Sequence, residues 1–115
     1  MTTAPLTGAK ILLTGVTGQV AGPLARNLVA AGNTVYGTSR FADADARAKV
    51  EADGVIPVAI DLETASFDEI PDGLDYVINM AVAKSNNFDR DLAANAEGVA
   101  LLMERVKGVK AFFHC

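Results

Sequence analysis

The sequence lacks several features that would direct a protein to an oxidising compartment, a membrane or a nucleic acid. It has a single cysteine, Cys115, which excludes an internal disulfide and fits a cytoplasmic protein. The net charge is −4, so no basic face is expected for a nucleic acid or an anionic membrane surface. No apolar run approaches the ~18 residues that a membrane helix needs, and the first eight residues do not have the pattern of a signal peptide.

Short apolar strands alternate with helical patterns along the whole chain. Half of the residues are hydrophobic (50%) and 21% are charged, a balance that excludes disorder and favours strands covered on both faces. Periodicity predicts strands over residues 10–14, 34–38, 55–60, 74–81 and 109–114. It predicts helices over residues 19–31, 43–53 and from Asn87 or Asp89 to Lys107. The apolar positions of this last helix are Leu92, Ala96, Val99, Met103 and Val106.

The signals between these elements are more local. Ser66, Phe67, Asp68 and Glu69 read as a capping box, which predicts a short helical turn. Pro57 lacks a backbone N–H, so we expect the third strand at an edge of the sheet.

Alternation of this kind predicts an α/β fold with a doubly wound parallel sheet and right-handed crossovers. The expected strand order is 3-2-1-4-5, the order of a Rossmann fold, ending after strand five. We expect one domain, residues 1–115.

A glycine-rich segment from Thr14 to Gly22 joins the first strand to the first helix. Gly15 permits a tight turn, Gly18 allows a diphosphate to approach the backbone, and Ala21 is small enough for the helix to pack on the strand. The amino end of the helix then faces the anion. The alternative is that these glycines only form a turn in an α/β protein that binds something else.

Thr14-Gly15-x-x-Gly18-x-x-Ala21 resembles the Thr-Gly-x-x-Gly-x-x-Gly fingerprint of extended short-chain dehydrogenases/reductases, the NAD-dependent epimerase/dehydratase family, with Ala21 in place of the third glycine. Asp61-Leu62 is similar to the pair that brackets the adenine in that family, and the segment 79–82 to the one beside the nicotinamide ribose. Asn95-x-x-Gly98 resembles the family's Asn-x-x-Gly-Thr. The motif and the resemblance together predict cofactor contacts at Gly15, Thr17, Gly18, Gln19, Val20, Ser39, Arg40, Asp61, Leu62, Met80, Ala81 and Val82.

The end of the second strand bears on the choice between NADP and NAD. A carboxylate there would bind the ribose 2′-hydroxyl and repel a 2′-phosphate, but the chain has Gly37-Thr38-Ser39-Arg40 and no acid before Asp43. Arg40 could pair with a 2′-phosphate, and Thr38 or Ser39 could donate hydrogen bonds to it. We therefore expect NADP to be preferred over NAD.

The resemblance implies catalysis by a serine or threonine after strand five and by a Tyr-x-x-x-Lys pair, and the chain contains neither. Neither Tyr36 nor Tyr76 has a lysine four residues further on. We predict no catalytic and no metal-binding residue here, and expect the chain to be the cofactor-binding part of a longer, homodimeric oxidoreductase. That enzyme would transfer hydride between nicotinamide and a hydroxyl or ketone of a small molecule such as a sugar nucleotide. The alternative is a non-catalytic NADP(H)-binding regulator or sensor that recruits a partner.

Overall fold

The strands of the chain form one parallel sheet in the order β3-β2-β1-β4-β5. The computed structural model describes residues 7–18, 20–41, 44–62, 64, 66–80 and 87–114. The strands are β1 Lys10–Thr14, β2 Thr34–Ser39, β3 Ile56–Ala59, β4 Tyr76–Asn79 and β5 Ala111–His114. The predicted fold class and strand order are confirmed, and β3 with its Pro57 lies at an edge, where the missing N–H costs no ladder bond.

Helices cover both faces of this sheet. On one face, Leu13 and Val35 pack with Ala21 and Ala25 of α1 (Ala21–Ala30) and with Val50 of α2 (Ala44–Ala52). On the other face, Leu12 and Val77 join a second cluster that includes Val99, Leu102 and Val106. Because Leu12 and Leu13 are both fully buried and adjacent in β1, the central strand supplies apolar surface to both layers.

The helix before β5 is not the regular helix that its apolar spacing predicts. The structure has α3 (Phe88–Leu92), a π-helical segment (Ala93–Gly98) and α4 (Val99–Arg105). The wider turns of the π-helical segment change the helical phase, so the predicted apolar face is wrong in part. Leu92 and Met103, predicted to face the core, are 44% and 48% exposed, and Leu102 is buried instead.

The capping-box prediction at Ser66 is also wrong. Ser66 forms an antiparallel bridge with Asp61, in which its backbone N–H donates to the Asp61 carbonyl at 3.0 Å. Phe67 and Ile70 are buried, and the N–H of Ile70 donates to the Phe67 carbonyl at 3.1 Å, which closes a turn and not a helix. This single turn does not continue into a helix, so Ser66 has no helix to cap.

No helix within the described part of the chain combines the length and the apolar character needed to cross a membrane.

Candidate functional site

The glycine-rich loop turns sharply out of β1. Gly15, the first residue after the strand, has φ 69°, a left-handed conformation that strongly favours glycine. Gly18 donates its N–H to the Gly15 carbonyl at 3.0 Å, and a Cβ added at Gly18 would lie 3.2 Å from that same oxygen. Both glycines therefore have a steric reason to be there, and Thr17 and Gly18 are exposed at the outer surface of the turn.

Helix α1 begins directly after the loop, and its own first turn carries no negative charge. It starts at Ala21, its first turn contains no acidic residue, and Val20 in the capping position makes no side-chain capping bond. Ala21 is 2% exposed and packs in the cluster of Leu13 and Val16, as expected of a small residue between helix and strand. Pro23 lies in the first turn, where a missing N–H costs little. The positive end of the helix dipole is thus not compensated by an acidic residue of its first turn or by the Val20 side chain, and it favours an anion.

The carboxyl end of β2 lies next to the loop. The N–H of Val16 donates to the Thr38 carbonyl at 3.0 Å, which joins the two segments. Thr38 itself is 1% exposed, so its hydroxyl does not reach the surface, whereas Ser39 is half-buried and Arg40 is exposed. Of the two hydroxyls considered as donors to a 2′-phosphate, only that of Ser39 lies near the surface.

The remaining predicted contacts follow β3 and β4. Asp61 is half-buried and Leu62 is 9% exposed, just after β3. Met80 follows β4, and its N–H donates to the Thr14 hydroxyl at 3.0 Å. The order of the strands brings Met80 beside β1 and the loop, and Asp61 beside β2. Gln19, Ala81 and Val82 were also predicted to contact the cofactor, and they lie outside the described residues, as does Cys115.

A row of polar side chains crosses the sheet at its carboxyl edge, and sequence reasoning did not predict it. Thr38, Thr14, Asn79 and His114 occupy paired positions on β2, β1, β4 and β5. They lie on the same face as an apolar row two residues earlier, namely Tyr36, Leu12, Val77 and Phe112. The sequence does contain a signal that could have predicted this row, because each of these apolar strands has a polar residue near its carboxyl end.

Hydrogen bonds connect three members of the row. The Thr14 hydroxyl donates to Asn79 Oδ1 at 2.5 Å, and Asn79 Nδ2 lies 2.9 Å from His114 Nδ1. With Asn79 donating, His114 Nδ1 accepts, and the ring proton of a neutral imidazole lies on Nε2. The Thr38 hydroxyl has no hydrogen-bond partner among the described residues.

At the opposite edge of the sheet, where the strands begin, Asp75 has a lowered pKa. The backbone N–H of Lys10 donates to Asp75 Oδ2 at 2.8 Å, and the Lys110 ammonium lies 3.6 Å from Asp75 Oδ1. The Lys10 hydrogen bond first, and then the charge of Lys110, hold the pKa of Asp75 below its ordinary value despite partial desolvation. Asp75 therefore has a structural role where β1, β4 and β5 begin. The described residues contain no group of three or more His, Cys, Asp or Glu side chains placed to hold a metal ion.

The parallel sheet, the glycine turn and the uncapped helix define a Rossmann-type nucleotide-binding fold. The chain belongs to the NAD-dependent epimerase/dehydratase family, whose model matches residues 11–115. A search of curated proteins finds no match.

Solved structures with the same fold include short-chain dehydrogenases/reductases. A short-chain dehydrogenase/reductase from Serratia marcescens has a TM-score of 0.77 at 20% identity over 91% of this chain and 52% of that one. A Pseudomonas aeruginosa RhlG/NADP active-site complex has a TM-score of 0.69 at 22% identity over 88% and 46%.

A putative 2-deoxy-D-gluconate 3-dehydrogenase from Agrobacterium tumefaciens with bound NADP has a TM-score of 0.67 at 22% identity over 90% of this chain and 48% of that one. The chain thus spans about half the length of these solved proteins.

Proposed function

We propose that this chain binds NADP(H), or less tightly NAD(H), with the diphosphate held between the glycine-rich loop and the amino end of α1. The observation that carries the proposal is the loop geometry. Gly15 makes a left-handed turn, and Gly18 sits where a Cβ would crowd the Gly15 carbonyl. Backbone freed of side chains next to a helix amino end is suited to a diphosphate.

The rest of the nucleotide would follow the carboxyl edge of the sheet. Parallel sheets bind ligands there, at the point where the strand order reverses, which is between β1 and β4 in this chain. Asp61 and Leu62 would flank the adenine, and Met80 would lie beside the nicotinamide ribose. Arg40 would pair with the 2′-phosphate, since it is exposed and the end of β2 carries no carboxylate.

In the complete protein this binding would serve hydride transfer to or from a carbon that carries a hydroxyl or ketone. The nicotinamide ring supplies the hydride donor or acceptor, and this chain's residues bind and orient it. Family membership supports the oxidoreductase assignment, and NADP in two solved proteins of similar fold is in keeping with the choice of NADP.

The test is a calorimetric titration of NADP⁺ into the protein and two glycine variants. Gly18→Val adds a branched side chain where even a Cβ would be 3.2 Å from a backbone oxygen, so we expect dinucleotide affinity to fall more than about tenfold. Gly108→Ala is the matched control, because a Cβ there meets nothing within 4 Å. Thermal melts establish that both variants fold. Unchanged affinity in folded Gly18→Val, or no binding by the unmodified protein, would refute the proposal.

A further inference from the structure

The backbone just after β2 is strained. Phe41 has φ 51°, a left-handed conformation, and it is the one residue other than glycine with positive φ in the part of the chain that the structure describes. A bulky residue adopts this conformation only when its surroundings impose it, and such residues occur often at ligand clamps. The strain lies directly next to Arg40, the residue proposed to contact the 2′-phosphate.

Several contacts hold Phe41 in place. Its N–H donates to the Ser39 hydroxyl at 3.4 Å, and its side chain packs against the cluster beneath α1 and α2. The guanidinium carbon of Arg47, on α2, lies 5.6 Å from the centre of the Phe41 ring. At that distance the positive charge is attracted to the ring face.

The same contacts place Arg47 beside the segment that contains Arg40. Arg40 is exposed and immediately precedes Phe41, and Arg47 is held over the ring. The Arg47 side chain is 41% exposed, and its Nε lies 3.8 Å from Glu51 Oε1. A planar guanidinium packed on an aromatic ring remains charged and keeps other N–H groups in its plane for a phosphate.

We propose that Arg47 is a second cationic contact for the ribose 2′-phosphate of NADP⁺, and that Phe41 is the residue that positions it. The inference rests on the proposed function and adds a specificity determinant to it. Arg40 and Arg47 together would attract the phosphate dianion, whereas NAD⁺, which has a hydroxyl in that place, would gain little from either charge. The Glu51 carboxylate competes with the phosphate for Arg47 and so limits the preference for NADP⁺.

The experiment compares NADP⁺ and NAD⁺ affinities by calorimetry at one fixed ionic strength. Arg47→Gln should weaken NADP⁺ binding about threefold to tenfold and change NAD⁺ binding less than about twofold. Phe41→Leu keeps an apolar side chain but removes the ring face, so it should lower the NADP⁺/NAD⁺ preference in the same direction. Glu51→Gln, which releases Arg47 from its ion pair, should raise the preference. Lys49→Gln is the control, because it removes one positive charge from the same helix at an exposed position.

The outcomes separate this inference from the proposed function. If both nucleotides bind and Arg47→Gln changes their ratio no more than Lys49→Gln does, the role of Arg47 is refuted and the proposed function stands. Equal weakening of both nucleotides by Arg47→Gln would also refute it. If the unmodified protein binds neither nucleotide, the proposed function fails and this inference fails with it.

Discussion

The Thr14 hydroxyl donates a hydrogen bond of 2.5 Å to Asn79 Oδ1, although the two residues are 65 positions apart in the sequence. Both side chains are fully buried. The bond links the carboxyl ends of β1 and β4, the central strands between which the sheet order reverses. It therefore lies beneath the place where the nicotinamide half of the proposed cofactor would bind.

Thr14→Val and Thr38→Val should differ in their effects on stability, although they are the same substitution at paired positions of neighbouring strands. Thr14→Val leaves Asn79 Oδ1 and the Met80 N–H without this hydroxyl, which should cost about 2 kcal/mol in the free energy of unfolding. Thr38→Val removes a buried hydroxyl with no partner among the described residues, so it should be neutral or stabilising. Urea unfolding of both variants measures the difference, and equal effects would contradict the assigned hydrogen bonds.

His114 should be found in the tautomer that carries its proton on Nε2 when the ring is neutral. Asn79 Nδ2 donates to Nδ1, while Oδ1 of the same amide accepts from the Thr14 hydroxyl. His114 is the only histidine in the chain, so its ring nitrogens are unambiguous in ¹⁵N-detected NMR spectra. Asn79→Leu should allow the tautomers to mix. A proton on Nδ1 in the unmodified protein would mean that the Asn79 amide has the opposite orientation.

Gly37→Ala should destabilise the fold and weaken dinucleotide binding together. A Cβ at Gly37 would lie 2.6 Å from Val55 Cγ1 and 2.7 Å from Val16 Cγ2, and neither branched side chain can move far in a packed layer. We expect a loss of about 1–3 kcal/mol in the free energy of unfolding. Because Val16 belongs to the glycine-rich loop, its displacement should also raise the dissociation constant for NADP⁺. Gly108→Ala again serves as the control, and a Gly37→Ala variant as stable as that control would contradict the packing described.

Asp75 should stabilise the protein at neutral pH and lose this effect in acid. Its pKa is lowered in the folded state, so its contribution is fully present above the unfolded value of about 3.8 and disappears as the pH falls through the folded pKa. The gap in unfolding free energy between the protein and Asp75→Asn should therefore shrink as the pH is lowered.

Lys110→Gln is the comparison variant for Asp75→Asn. It leaves in place the hydrogen bond from the Lys10 backbone, which is the larger cause of the lowered Asp75 pKa. The free energy of unfolding of Lys110→Gln should therefore keep most of the pH dependence seen in the unmodified protein. A gap between the protein and Asp75→Asn that stays constant with pH would contradict the role of the carboxylate.

The features that could be predicted from sequence are those encoded by neighbouring residues. Buried strands, the glycines at positions 15 and 18, the small Ala21 and the edge position of Pro57 each follow from local backbone or steric requirements. The two errors have a common origin. Ser66 pairs with Asp61, and the π-helical segment shifts the buried face of α4 to Leu102. The local spacing of residue types, from which both predictions were made, encodes neither of these features.

By itself, the sequence determined the parallel α/β architecture and the position of the loop proposed to hold a diphosphate, because periodicity and glycine sterics act over a few residues. Only the tertiary structure decided which polar side chains meet. Strand register placed Thr14, Asn79 and His114 in one hydrogen-bonded row, and the left-handed turn at Phe41 placed its ring under Arg47. These relationships depend on how separate segments are aligned across the sheet, and no local pattern in the chain specifies that alignment.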